Sequence, residues 1–544
     1  MSGTKTATAS ATADVSGKMI DGDYQTDYEA GQDNVNPFGL EMHNPVFFIS
    51  AALTMTFVVL ALAFPETANT GLEATKAWTL EHFDWFFVIA SNFVLLFCVA
   101  VAISPLGKIR LGGSDAKTEF GTASWIAMLF SAGIGIGMVF YGSAEPVAYY
   151  TNWGGTPLNV EPRTPEAMNL ALGATVFHWG LTPWAIYAVI GLALAFFAFN
   201  KGLPLTIRSA FYPLLGERIW GWPGHLIDIL AVIATIFGLA TSLGLGAQQA
   251  ATGLSFLFGI EANLTSQLLL IAVITGLATV SVVRGMDGGI KLLSNINMVL
   301  AASLLAFVFV AGPTLQIMSG FGAAIASYAE YAVPLSDWTG REDKAWYHGW
   351  TIFYWAWWVS WSPFVGMFIA RISKGRSIRE FLTVVLVVPV IVAIIWFTTF
   401  GVTAIEQIKD GIGQLPAGIS EAPLVLFQML ENMPFPYIAS SLAIILLIVF
   451  FVTSSDSGSL VIDAITAGGR TDAPVAQRIF WAILQGLAAA ALLVGGGAGA
   501  LGAMQAGTIA SGLPFTLVLL VCCYSLFKGL MSEYSMLKTQ SGAV

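Results

Sequence analysis

Ser131-Ala-Gly-Ile-Gly-Ile-Gly-Met-Val-Phe140 sits inside an uninterrupted apolar run, residues 122–142. A run of this length crosses a bilayer as a helix, which takes about 20 residues at a 1.5 Å rise. Yet Gly133, Gly135 and Gly137 alternate within it, and each glycine weakens a helix by roughly 1 kcal/mol relative to alanine. Two arrangements use such glycines. A close-packed helix pair needs small residues at every fourth position. A broken helix frees backbone amides and carbonyls, which lipid tolerates only where the backbone is buried in protein or lines a cavity. The spacing here is two, not four. A broken helix that lines a binding site is therefore expected.

The rest of the chain agrees with a membrane location. Of its 544 residues, 56% are hydrophobic and only 10% charged, against about 45–50% and about 25% in soluble proteins. This excludes a soluble enzyme, a disordered chain and a fibrous repeat. Twelve apolar runs lie near 46–64, 84–104, 122–142, 169–199, 226–258, 265–283, 292–312, 346–371, 381–403, 437–463, 475–497 and 506–527. They are continuous rather than alternating, so they predict helices and not barrel strands. With the N-terminus placed inside, eighteen of the 23 Lys and Arg fall in inside segments and five outside. That asymmetry predicts cytoplasmic termini. Residues 1–45 are polar and acidic, lack the apolar core of a secretory leader and are expected to be disordered. Residues 316–333 are too broken to span and predict an amphipathic helix at the outer interface. A net charge of −10 argues against nucleic acid. Cys98, Cys522 and Cys523 lie in apolar runs and read as small hydrophobes.

Two aromatic clusters lie deep in the spans. The eighth holds Trp350, Trp355, Trp357, Trp358 and Trp361 ahead of Ser362-Pro363. An interfacial belt could account for Trp350 and Trp355, but Trp361 lies about a turn deeper. The fourth span carries His178, Trp179, Trp184 and Tyr187 around Pro183. A quaternary ammonium has no N–H to donate, and aromatic faces, tryptophan first, hold its diffuse charge. Carboxylates would attract it too, but are costly at mid-membrane, and the spans hold few ionisable groups. The tenth span ends Thr453-Ser-Ser-Asp-Ser-Gly-Ser459. Its hydroxyls suit either cation ligation or helix packing. His178 reads as a hydrogen-bonded histidine at a helix contact rather than a proton relay. Glu145-Pro146 reads as an outer loop cap. There is no H-E-x-x-H motif and no persuasive triad, so an enzyme is not expected. No ring of like charges points to a channel.

At these residues the chain resembles a known family. Phe353-Tyr-Trp-Ala-Trp-Trp-Val-Ser-Trp-Ser-Pro-Phe-Val-Gly366, followed by Ala370-Arg-Ile-Ser-Lys-Gly-Arg-Ser-Ile-Arg-Glu380, resembles the signature of the betaine/carnitine/choline transporters. The glycine run, His178-Trp179 through Tyr187, and the Thr453 to Ser459 cluster match the same family. The resemblance spans roughly residues 45–530. It implies an all-α polytopic fold of about twelve helices, with two five-helix inverted repeats after two extra helices. The implied divisions are a tail at 1–45, extra helices at 46–110, repeat one at 111–315, an outer helix and loop at 316–344, repeat two at 345–527 and a short tail at 528–544.

The resemblance also assigns residues. Trp179, Trp184, Tyr187 and Trp358 resemble the ammonium cage. Trp361, with backbone groups of Ala132 and Gly135, resembles the partner of the substrate carboxylate. Trp357 resembles an exit-path residue, and Phe140 and Phe368 resemble gating aromatics. A sodium site like that of the sodium-coupled members would use the carbonyls of Ser131 and Ile134 with Phe450, Thr453 and Ser454. A second sodium would use Thr235 and Phe364, but its other hydroxyl position holds Leu239, unless Thr241 or Ser242 substitutes. Gly137, where some proton-coupled choline members carry Asp, suits a zwitterion.

The resemblance thus implies sodium-coupled import of glycine betaine, or a similar quaternary-ammonium or sulfonium zwitterion, by alternating access. No cofactor is implied beyond sodium as the coupling ion. A homotrimer in a bacterial inner membrane is also implied. Proton-coupled or uncoupled transport of choline, carnitine or dimethylsulfoniopropionate is the alternative, with a passive channel or sensor behind it. The short C-terminal tail lacks the long basic helix of osmotically regulated members.

Overall fold

A computed structural model of the chain describes Tyr24 and residues 26–133, 135–284 and 291–540. Among them it is a helical membrane protein. The one sheet is a two-residue ladder pairing Asn34–Val35 with Met42–His43. Ten helical segments are long and apolar enough to cross a membrane. Two further spans complete the set. The third is interrupted, running Thr122–Gly133 and then Ile136–Thr151, with Gly135 extended between the halves. The eighth, Phe353–Ile372, is dominated by Trp, Tyr and Ser, which weigh little on a hydropathy scale.

The fourth span is also broken, at Gly180, between Pro165–Trp179 and Leu181–Phe199. Pro183 explains why helix does not simply continue, because it has no N–H for the preceding turn. Local sequence sets other boundaries. Thr164 caps the fourth span by accepting from the Ala167 amide, with Pro165 in the first helical position. Ser377-Ile-Arg-Glu380 has the capping-box spacing, and Ser377 Oγ accepts from the Glu380 amide ahead of the ninth span, Ile378–Lys409.

The remaining spans are Val46–Ala63, Pro65–Ile103, Trp222–Phe258, Leu264–Arg284, Lys291–Ala311, Pro436–Thr466, Val475–Gly496 and Ala500–Gln540. Their packing has an internal symmetry. The fourth span packs on the eighth as the ninth packs on the third. The fifth meets the twelfth and eleventh as the tenth meets the seventh and sixth. The fifth and tenth pair with each other, as do the sixth and eleventh and the fourth and ninth. Exchanging span n with span n+5 maps these pairs onto one another, while the packing of the twelfth span on the eighth and eleventh has no counterpart of similar extent at the seventh. In that exchange the broken third span corresponds to the tryptophan-rich eighth.

Three sequence expectations need correction. Residues 26–45 are ordered, not disordered, while 1–23 lie outside the described residues. Tyr28 stacks on Trp220 with centroids 4.2 Å apart. Asn34 donates to the Ala467 carbonyl, and Gln477 exchanges hydrogen bonds with the Glu41 backbone. These contacts offset the ordering entropy that composition alone could not weigh. The last helix does not end near 527 but continues to Gln540. Its extension is held by Glu533, which pairs with Lys201 Nζ at 2.7 Å. Finally, Thr314–Ser336 forms one helix packed on the first half of the fourth span and on the ninth, longer than the 316–333 segment predicted.

One buried ion pair supports the face on which residues 26–45 pack. Arg208 Nε lies 2.7 Å from Asp228 Oδ2, and both side chains are buried. Removing one partner strands the other charge, which costs about 3–5 kcal/mol. Arg208→Met is therefore expected to lower the unfolding midpoint in detergent sharply. Adding Asp228→Asn should recover much of the loss.

Candidate functional site

The breaks in the third and fourth spans open one cavity at the centre of the bundle. Its walls come from spans three, four, seven, eight, nine and ten. The space, counted with its open mouth, is about 1160 Å³. No charged side chain is among the described residues that line it.

Aromatic rings form most of the wall. Trp179 meets Trp358 edge to face, with centroids 4.8 Å apart and planes at 69°. Trp184 meets Tyr187 at 5.3 Å and 84°, and Tyr187 meets Trp358 at 6.3 Å and 81°. Trp357 stacks on Trp358 at 5.0 Å, and Trp361 meets Phe364 at 5.5 Å. The rings are held by their N–H groups. Trp358 Nε1 donates to the His178 carbonyl at 2.9 Å, in the last turn before the Gly180 break. Such end-of-helix carbonyls lack a partner of their own. Trp357 Nε1 donates to the Gly238 carbonyl at 3.2 Å, and Trp179 Nε1 to a Glu145 oxygen at 2.7 Å. Trp361 differs. Its indole nitrogen is buried with no hydrogen-bond partner among the described residues, and its Cδ1 edge is packed on Gly238 of the fifth span.

The glycine run has a second role that its sequence did not reveal. A Cβ on Gly137 would lie 2.8 Å from Trp179 Cη2 and 2.9 Å from Trp357 Cη2. Gly137 is the gap into which both ring tips fit.

Of the sequence candidates, Gly135, Trp179, Trp184, Tyr187, Trp357, Trp358, Trp361, Phe364, Phe368, Phe450, Thr453 and Ser454 all line this cavity. Phe140 does not. It is buried against Tyr141 at a centroid distance of 4.7 Å, away from the cavity wall. Ser131 and Ala132 fall in the final turn of the first half of the third span, and Ile134 lies outside the described residues.

Oxygens are less well gathered. Thr453 Oγ1 faces Asn297 Nδ2 at 3.0 Å and bonds back to the Val449 and Phe450 carbonyls. Thr235 is buried outside the cavity and donates to the Ala231 carbonyl at 2.7 Å. Leu239 packs against Gly458, Thr241 pairs with Thr508 Oγ1 at 2.7 Å, and Ser242 bonds to the Gly238 carbonyl. The second hydroxyl position of the site around Thr235 and Phe364 thus holds a leucine, and the hydroxyls of Thr241 and Ser242 are engaged elsewhere.

Sequence reasoning missed three features here. Trp350 and Trp355 are not belt residues; both are buried. Asn297 and Ser294 of the seventh span line the cavity, unmarked by any motif. Glu145 is no loop cap. It is wholly buried inside Ile136–Thr151 and ringed by Tyr149, His178, Trp179 and Tyr354. Pro146 made the segment look like a loop. The contrary signal was Tyr141, Glu145 and Tyr149 at spacing four, one face of a helix. His178 is fully bonded, with Nε2 3.0 Å from Thr351 Oγ1.

The fold and the cavity define a polytopic membrane protein whose helices enclose an aromatic pocket lined, among the described residues, by no charged side chain. The family model for BCCT, betaine/carnitine/choline family transporter, matches residues 45–535, and the chain belongs to that family. It is 56% identical over 510 residues to glycine betaine transporter 1 of Vibrio parahaemolyticus, covering 93% of this chain and 97% of that one. A glycine betaine/proline/choline/ectoine transporter of the same organism is 55% identical, covering 94% of this chain and 91% of that one. The glycine betaine transporter OpuD of Bacillus subtilis is 43% identical, covering 90% and 94%.

Gly137→Ala should displace both ring tips, at a cost of about 1–3 kcal/mol for overpacking. The unfolding midpoint in detergent is expected to fall. Gly322→Ala, which would meet nothing within 4 Å, should leave it unchanged.

Proposed function

We propose that this transporter imports a trimethylammonium zwitterion, glycine betaine first among them, coupled to sodium by alternating access. The observation that carries the reading is the cavity's division into two ends. At one, four ring faces from Trp179, Trp184, Tyr187 and Trp358 offer a permanent cation the contact it accepts. At the other, with Trp361, stands Gly135 at the break in the third span, where the backbone N–H groups that open the helix from Ile136 lack helical partners and suit a carboxylate. A ligand carrying both charges fits without any charged wall. A sulfonium zwitterion fits the same cage.

Sodium is the coupling ion this reading prefers. Thr453 and Ser454 face the cavity with Phe450, on the same cavity as Gly135 at the break in the third span. Hard oxygens beside unwound backbone suit a small cation. One such ion, not two, accords with the positions of Thr235 and Leu239. Cytoplasmic termini in a bacterial inner membrane follow from the Lys and Arg asymmetry, and a homotrimer follows from the family resemblance. The Vibrio parahaemolyticus relative at 55% identity is named for choline, proline and ectoine as well as glycine betaine, so a wider substrate range is the second reading.

Proteoliposomes test the proposal. An inward sodium gradient should drive accumulation of labelled glycine betaine, and a proton gradient alone should not. Equal uptake without sodium would end the coupling claim. Trp358→Leu or Trp184→Leu should each weaken binding by on the order of 1–2 kcal/mol. Thr453→Ala should raise the sodium concentration for half-maximal uptake while leaving betaine affinity at saturating sodium nearly unchanged.

A further inference from the structure

Glu145 is a carboxylate wholly buried in the membrane part of the fold, and it does not line the cavity. Intramembrane carboxylates are costly and are kept for a reason. Oε2 accepts from Trp179 Nε1 at 2.7 Å and from the Tyr354 hydroxyl at 2.5 Å. Oε1 accepts from the Tyr149 hydroxyl at 2.9 Å and lies 3.2 Å from His178 Nδ1. An indole nitrogen can only donate, and a carboxylate can accept at both oxygens. The donor set is the complement of an acceptor-only group.

Both donors on Oε2 reach the cage. Trp179 is a cavity wall and meets Trp358 at 4.8 Å. Tyr354 stacks on Trp358 at 5.6 Å, with planes 13° apart. We infer that Glu145 is a positioning residue that strengthens the cage electrostatically, through the Trp179 hydrogen bond rather than by touching the ligand. The inference rests on the transport reading above.

Two effects act in the same direction. A hydrogen bond from the indole N–H to a carboxylate pushes electron density into the ring and deepens the negative potential over its face. The surroundings also have a low dielectric, so an anionic carboxylate behind the ring still attracts a cation in front of it. Neither effect helps an uncharged group of the same shape. Glu145 thus separates charge recognition from shape recognition, which a purely structural bond to Trp179 would not do.

That distinction supplies the test. Glycine betaine has an isostere, 3,3-dimethylbutyrate, in which a neutral carbon replaces the ammonium nitrogen. Both ligands are titrated against the full-length protein in detergent at saturating sodium. Wild type is expected to prefer betaine. Glu145→Gln keeps the shape and should cut that preference roughly ten-fold, while affinity for the isostere changes by less than about two-fold. Glu145→Asp, which retains the charge, should restore part of it. Equal losses for both ligands, or an unchanged ratio, would overturn the inference. If Glu145→Gln does not fold, Trp179→Phe keeps a ring but removes the N–H, and an unchanged ratio there overturns it equally. A wild type that binds betaine with no preference, or binds neither ligand, defeats the transport reading itself, and this inference with it.

Discussion

A tryptophan ring holds a cation only while its face is turned toward it, and here the indole N–H groups decide which way the faces turn. Three of the cavity tryptophans have that edge tied down: Trp358 to the His178 carbonyl, Trp357 to the Gly238 carbonyl and Trp179 to Glu145. The first of these bonds also solves a problem of the backbone. A helix broken inside a membrane leaves carbonyls that lipid cannot satisfy. The Gly180 break leaves His178 in the final turn, and an indole from the other repeat supplies the donor. The break and the cage are therefore one arrangement. Straightening the fourth span would release Trp358, and losing Trp358 would orphan the carbonyl.

The same interlocking explains the small residues that surround the site. Gly137 admits two ring tips, and Gly238 lies where a Cβ would meet Trp361 Cδ1 at 2.7 Å. Each is a place where a helix backbone comes close enough to a bulky ring to serve as its wall. Interiors packed to this density resist gradual deformation. Movement of the eighth span against the third and fourth is accordingly expected as a shift between discrete packings.

Much of this was legible in the chain. Spans announce themselves by continuous hydrophobicity, and the cage by tryptophans placed too deep for an interface. The glycine period marked the break in the third span. What escaped was what depends on a partner far away in sequence. The 26–45 segment looked unable to fold because Trp220, Ala467 and Gln477, which hold it, lie hundreds of residues on. The last helix looked finished near 527 because Lys201 was not in view. The Gly180 break looked like an ordinary proline neighbourhood. Glu145 was misplaced because Pro146 carried more weight than the spacing of Tyr141 and Tyr149. The rule that an intramembrane carboxylate is functional by default applies to it.

Keeping Glu145 behind the rings has a selective advantage over placing it in the cavity. A bare carboxylate in a low-dielectric pocket binds any cation strongly, including sodium and potassium. A small metal ion would surrender its hydration shell to reach the ring faces and recover little from them. A trimethylammonium group has a weak hydration shell to lose and a surface that matches flat rings. Routing negative charge through Trp179 therefore favours the large organic cation while denying small ions a ligand. It also keeps the attraction moderate, so the substrate can leave again when the opposite side opens. On the transport reading, the scarcity of charge across the spans and the burial of Glu145 serve the same requirement: a site strong enough to select a permanent cation and weak enough to release it.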